Sequence, residues 1–235
     1  AIFIGFTGTP LLKKDKQTSM EVFGKIIHSY KFDEGVRDGA IVDLLYDPRN
    51  IEQEITNQAR IDQWFDVKTE GLSEKAKAQL KRKWANMQKF VSARSRLEKI
   101  AEDIIMDMNI KPRLVSGAGN AMLVAEDIYS ACKYYEIFKA KGFRQCAVIT
   151  SYDPSTNGKI TTETTSLEED TEGIEKYNIY KAMIGDMTVE QYEEEMKRQF
   201  VDEPARMKLL IVVDKLLTGF DAPHATYLYI DKSMQ

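Results

Sequence analysis

The chain has 235 residues, 43% of them hydrophobic and 30% charged, with a net charge of −4. That length supports a sizeable buried core, and the mixture is ordinary for a water-soluble globular protein. No run approaches the roughly 18–20 consecutive apolar residues of a membrane span, so no membrane partner is expected. Two cysteines, Cys132 and Cys146, are too few for a disulfide framework and point to a reducing cytoplasm. The two histidines, His28 and His224, lie far from them in sequence, so no metal site is expected.

The first element, "AIFIGFTGTP", predicts a buried strand over 1–6 that runs into a turn of small hydroxyl and glycine residues, Thr7, Gly8 and Thr9. Further near-continuous apolar runs predict strands at 40–46, 121–125, 146–150, 209–213 and 226–230, as expected where a parallel sheet is covered on both faces. From Asn50 to Ile110 the rhythm changes to about three helices. Asn50 with Gln53 caps the first, which carries Ile51, Ile55 and Ala59. Ser73 opens the second, with Leu80, Trp84 and Met87. Ser95 with Glu98 caps the third, with Leu97, Ile100, Ala101, Ile104 and Met108, and Pro112 ends the segment.

Within this region "KAKAQLKRKWANMQKFVSARSR" concentrates Lys75, Lys77, Lys81, Arg82, Lys83, Lys89, Arg94 and Arg96. A solvated helix face is the plain reading of that charge. Trp64, Phe65 and Trp84 are candidate docking anchors, with core packing as their plain reading.

Beyond the strand at 121–125, Glu126 and Asp127 suit a helix amino terminus, and Ile128, Ala131, Cys132, Tyr135 and Phe138 share its face. "DPSTNGKITTETTSLEEDTEG" is polar, acidic and rich in hydroxyls, and reads as a mobile loop. Thr188 with Gln191 forms a capping box ahead of Val189, Tyr192 and Met196. Strands alternating with helices predict an α/β fold.

In such sheets ligands gather beyond the carboxyl ends of the strands. There Thr218 and Gly219 suit a backbone phosphate, a hydroxyl beside a residue that permits close approach, and Asp221 suits a ribose hydroxyl or a cation. A polar turn closed by Pro223 is the plain alternative. Asp221-Ala222-Pro223-His224 also faintly echoes an adenine-methyltransferase loop, but it lacks the second proline and the stacking aromatic. Glu195 and Lys197 have Glu-x-Lys spacing without the strand-borne Asp that a nuclease needs.

Thr7-Gly8-Thr9-Pro10 after an apolar strand resembles motif III of superfamily 2 helicases, and "VVDKLLTGFDAP" resembles motif V as found in the motor (R) subunit of type I restriction enzymes. "HSYKFDEGVRDGAIVDLLYDPRN", "SRLEKIAEDI", "GNAMLVAEDIYSACKYYEIF", "CAVITSYDPS" and "TYLYIDK" extend the similarity over nearly the whole chain.

The resemblance implies a RecA-like lobe 2 with a helical insertion, preceded by the last strand of lobe 1. The implied boundaries are 1–12 for the end of lobe 1, 13–39 for a connector and 40–50 for the start of lobe 2. Residues 51–111 form the insertion, and 112–235 the rest of lobe 2, with motif IV near Leu123–Ala125. It further implies that Thr7, Gly8, Thr9 and Asp221 couple to the nucleotide, while Thr150, Ser151, Thr218 and Gly219 contact double-stranded DNA. ATP and Mg²⁺ are the implied cofactors of the intact parent, and methyltransferase and specificity subunits its implied partners.

The sequence has no G-x-x-x-x-G-K-[ST] phosphate loop and no arginine after Arg206 to serve as a finger. The chain is therefore expected to be cut from a longer polypeptide, to stop before motif VI, and to be inactive and cofactor-free by itself. The alternative function is a non-catalytic module that docks the motor onto methyltransferase and specificity subunits.

Overall fold

The computed structural model describes residues 4–8, 19–51, 69, 73–154 and 167–232. The chain divides into two units, Ala1–Asn50 and Ile51–Gln235.

In the first unit the described elements are two short helices, α1 (Ser19–Phe23) and α2 (Phe32–Arg37). The Lys31 N–H donates to the Glu34 carboxylate at 2.7 Å and so closes the first turn of α2. Ile41 covers the buried Gly35 so closely that a Cβ there would meet it at 2.9 Å. Most other apolar side chains among the described residues of this unit are exposed, among them Phe6 (96%), Val42 (88%) and Leu45 (98%). The strand expected at 40–46 is absent: its residues are irregular and solvent-facing. An apolar run signals a segment that needs cover, and a strand forms only where a neighbour supplies hydrogen bonds. Residues 4–6 likewise form no strand, and 1–3 lie outside the described residues.

The second unit is built on four strands, β1 (Asn120–Ala125), β2 (Cys146–Ile149), β3 (Leu209–Val212) and β4 (Ala225–Asp231). All pairs are parallel and the order is β2-β3-β1-β4. In β1, β2 and β3 every residue is buried, which is why all are apolar except Asn120, whose side-chain amide donates to the Phe200 carbonyl at 2.6 Å. The edge strand β4 alternates instead, with Tyr227 and Tyr229 half-buried and Leu228 and Ile230 exposed. This is the α/β architecture expected from the sequence, and it is consistent with a RecA-like lobe.

Among the described residues five helices accompany the sheet: α3 (Glu74–Ile110), α4 (Pro112–Val115), α5 (Ile128–Ala140), α6 (Leu167–Ile184) and α7 (Val189–Asp202). Asp127 caps α5 by accepting the Ser130 N–H at 2.7 Å, and Thr188 and Gln191 form the expected capping box on α7. The face of α5 is wider than the expected stripe, because Tyr134 and Ile137 are buried beside Ala131, Cys132 and Phe138.

Two expectations for the helices are corrected. Helix α3 is continuous over 37 residues, so Ser95 lies within it and caps nothing. No Gly or Pro occurs between Glu74 and Ile110, and a Ser-x-x-Glu signature cannot stop a helix that has no breaker and has the strong formers Arg94, Arg96 and Leu97 around Ser95. The first expected helix of this region falls largely on 52–68, outside the described residues. Pro112 does end α3, and it opens α4 as its first residue. The segment read as a loop is helical from Leu167 onward, since Glu168, Glu169 and Asp170 favour a helix amino terminus. Residues 155–166 of that segment lie outside the described residues.

Candidate functional site

Parallel strands present their carboxyl ends on one edge, and here that edge carries Glu126 and Asp127 after β1, Thr150 and Ser151 after β2, Val213 and Asp214 after β3, and Lys232 after Asp231 of β4. Strands β3 and β4 flank β1, so Lys232 and Asp214, which form an ion pair, are joined across the end of β1. Lys215 is held in turn by Glu193 on α7, which also pairs with Lys197 at 2.5 Å. Those bonds depress the Glu193 pKa against the opposing effect of its burial.

Beneath this edge lies a buried polar cluster. The Arg96 guanidinium bridges both carboxylate oxygens of Asp231, one of them at 3.1 Å, and the Tyr134 hydroxyl donates to the same carboxylate at 2.6 Å. Burial opposes the charge of Arg96, but the Asp231 hydrogen bond and charge outweigh it and its pKa rises. Burial and the Asp231 bond together keep Tyr134 a protonated donor. Three helical turns further along α3, Asp107 accepts the Tyr229 hydroxyl at 2.9 Å. Tyr229 and Asp231 share a face of β4, so two polar ties fasten the carboxyl half of α3 to that strand.

The link between β3 and β4 contains no helix. It leaves the carboxyl end of β3 and returns to the amino end of β4, where the His224 carbonyl accepts the Asn120 N–H at 2.9 Å. Asp214 and Leu216 have φ of 50° and 64°, and Gly219 has φ of 73°. Two non-glycine residues in that region mark a tightly bent loop. Phe220 anchors the far part by stacking on Phe200 of α7 at 6.1 Å between ring centres. Thr218, Gly219 and Asp221 are left exposed, and open space surrounds the Gly219 position.

The sequence-predicted residues thus divide. Ser151 is exposed at the end of β2, and Thr218, Gly219 and Asp221 lie on one loop of the same unit. Thr150 turns inward: its hydroxyl is buried, lies 3.1 Å from the Tyr180 hydroxyl and accepts the Tyr152 N–H at 3.1 Å. Thr7 and Gly8 are exposed in the other unit, and Thr9 lies outside the described residues. Glu195 and Lys197 make separate helix-surface bonds, Glu195 to Arg198 and Lys197 to Glu193. Sequence reasoning did not single out Asp231 or Tyr134; a carboxylate closing an apolar strand was the available signal.

Among the described residues no group of three or more His, Cys, Asp or Glu side chains is placed to hold a metal ion, and no helix is long and apolar enough to cross a membrane.

The sequence model of the family described as type I restriction enzyme subunit R domain 3 matches residues 117–235, the span that contains the whole sheet and its loops. The chain belongs to this family. A second model, described as SWI2/SNF2 ATPase, matches residues 1–78. The MjaIXP type I restriction enzyme endonuclease subunit of Methanocaldococcus jannaschii is 30% identical over 238 aligned positions, covering 100% of this chain and 20% of the relative. The HindI type I restriction enzyme endonuclease subunit of Haemophilus influenzae is 29% identical over 235 positions, with the same coverage. The SauCOLORF180P endonuclease subunit of Staphylococcus aureus strain COL is 25% identical over 261 positions, covering 100% of the chain and 24% of the relative. The chain spans about a fifth of the length of the first two curated relatives.

Proposed function

We propose that the chain supplies the end of one RecA-like lobe and most of a second in an ATP-driven motor that pulls double-stranded DNA within a type I restriction endonuclease. The observation that carries this reading is the β3–β4 loop, which exposes Thr218 and Gly219 on a sharply bent backbone beside a buried parallel sheet. Its main-chain N–H groups and the Thr218 hydroxyl suit a sugar-phosphate chain. Ser151 joins them as the outward group of its turn, while Thr150 fixes the turn from inside through Tyr152 and Tyr180. Asp221 serves the nucleotide, and Thr7, Gly8 and Thr9 couple nucleotide state to the grip on DNA.

The residues present do not complete a site for Mg-ATP. The sequence lacks a phosphate loop, and the described residues offer no multidentate cluster for the metal. No phosphoryl-transfer step is therefore assigned to this chain. The intact cytoplasmic enzyme is proposed to bring ATP, Mg²⁺ and the methyltransferase and specificity subunits.

DNA-stimulated ATP hydrolysis by the intact R subunit in its complex tests the proposal. Thr218→Ala is expected to lower the stimulated rate at least tenfold and leave the complex assembled. An unchanged rate contradicts the assigned role of the loop.

A further inference from the structure

The β3–β4 loop is proposed to meet an anionic backbone, yet two carboxylates hold its base. Asp214 and Lys215 are consecutive residues whose ion pairs reach different elements. Asp214 accepts from Lys232, the residue after β4, whereas Lys215 donates to Glu193 of α7 at 2.5 Å. Glu193 is largely buried and is bonded by Lys197 as well, at 2.5 Å. Burial acts to raise its pKa, but the two lysines lower it overall and keep the carboxylate charged.

These pairs bracket a left-handed bend, with φ of 50° at Asp214 and 64° at Leu216. A short polar side chain tolerates that conformation, whereas in leucine it brings the Cβ against the following carbonyl. The bend is therefore held from outside. The Leu216 side chain packs on the core, and Phe220 stacks on Phe200 beyond the tip. Among the described residues no hydrogen bond reaches Leu216, Leu217, Thr218 or Gly219, so the tip has no ties of its own and takes its course from the base. The cost of a left-handed leucine and the gain from a part-exposed ion pair are of the same order, so loss of one pair lets the loop relax.

We propose that Asp214 and Glu193 are positioning residues that act through Lys232 and Lys215 to hold the bend presenting Thr218 and Gly219 to the sugar-phosphate chain of duplex DNA. This rests on the reading of that loop as a DNA contact. The sign of the charge separates positioning from plain electrostatics. A carboxylate beside DNA repels phosphate, so where charge alone matters its neutralisation strengthens binding. Neutralising a positioning carboxylate does the opposite, because the loop then spends only part of its time in the binding form and the apparent affinity falls by that fraction.

DNA-stimulated ATP hydrolysis by the intact R subunit in its complex, measured against duplex concentration, tests the two carboxylates. Asp214→Asn keeps a residue suited to the left-handed region, and Glu193→Gln keeps a good helix former. Each is expected to raise the duplex concentration for half-maximal stimulation about threefold and to leave the maximal rate close to that of the parent. Lys232→Gln should match Asp214→Asn, the two combined should be no worse than either alone, and Lys232→Arg should restore the parental value. If Asp214→Asn does not assemble into the complex, Glu193→Gln on a separate element carries the test. A half-maximal concentration that is unchanged or lower in both carboxamide variants overturns the proposal. Additive weakening in the Asp214→Asn, Lys232→Gln double variant also overturns it, since that is the result of a lysine that touches phosphate directly. Parental curves for both carboxamide variants beside a damaged Thr218→Ala reject the positioning and keep the loop's role, whereas a harmless Thr218→Ala rejects both.

Discussion

Asp231 is 7% exposed and satisfies two donors that come from different helices, Arg96 of α3 and Tyr134 of α5. Removing Asp231 takes the acceptor from the buried Tyr134 hydroxyl and from an Arg96 side chain that is a third exposed and recovers only part of its pairing from water. Asp231→Ala is therefore expected to lower unfolding stability by about 3 kcal/mol, read from the urea midpoint. The exposed Asp214, also ion-paired to a lysine, gives the contrast: Asp214→Asn, which removes the charge but keeps a side chain tolerated at its φ of 50°, should change stability by less than about 1 kcal/mol. The two cysteines are a second residue-level case. Burial pushes both thiols up to about 12, against weak opposing pulls from Lys176 on Cys132 and Lys139 on Cys146. Because the folded state holds the proton more tightly, their stabilising contribution is full below about pH 8.5 and is lost as pH rises toward 12. Ellman's reagent at pH 8 should find no reactive thiol in the native chain and two after unfolding in urea.

At the scale of elements, the continuity of α3 is the departure from sequence expectation that is simplest to test. A serine cap replaced by alanine costs about 1 kcal/mol, whereas an interior helix serine so replaced gains a few tenths. Ser95→Ala should thus leave stability unchanged or slightly raised, and Thr188→Ala on α7 should lower it by about 1 kcal/mol in the same denaturant titration. Strands β1, β2 and β3 were legible because burial on both faces writes a nearly unbroken apolar run, and β4 because its exposed Leu228 and Ile230 happen to be apolar as well. The same run at 40–46 is not a strand, since composition records the need for cover and not the presence of a pairing edge. Arg96 was legible as charge but not as a buried partner, because its carboxylate lies 135 residues away. The candidate loop was readable in the Thr218-Gly219 pair. The inward turn of Thr150 was not, because it depends on Tyr180 from a helix whose start read as a polar loop.

For the whole molecule, the two units differ in how they handle apolar surface. The second buries a continuous core from Leu97 to Val212, while the first leaves Phe6, Ile27, Val42 and Leu45 open to solvent. Apolar surface of that extent is a surface for covering, which suits a unit belonging to a larger body and accords with relatives roughly five times longer. If the β3–β4 loop grips DNA as proposed, Gly219 is its most sensitive point, because a φ of 73° strains a residue with a Cβ. Displacement of a third strand from triplex DNA by the intact restriction complex measures translocation directly. Gly219→Ala is expected to abolish ATP-dependent displacement while the complex still binds its recognition site. Displacement at the parental rate would contradict it.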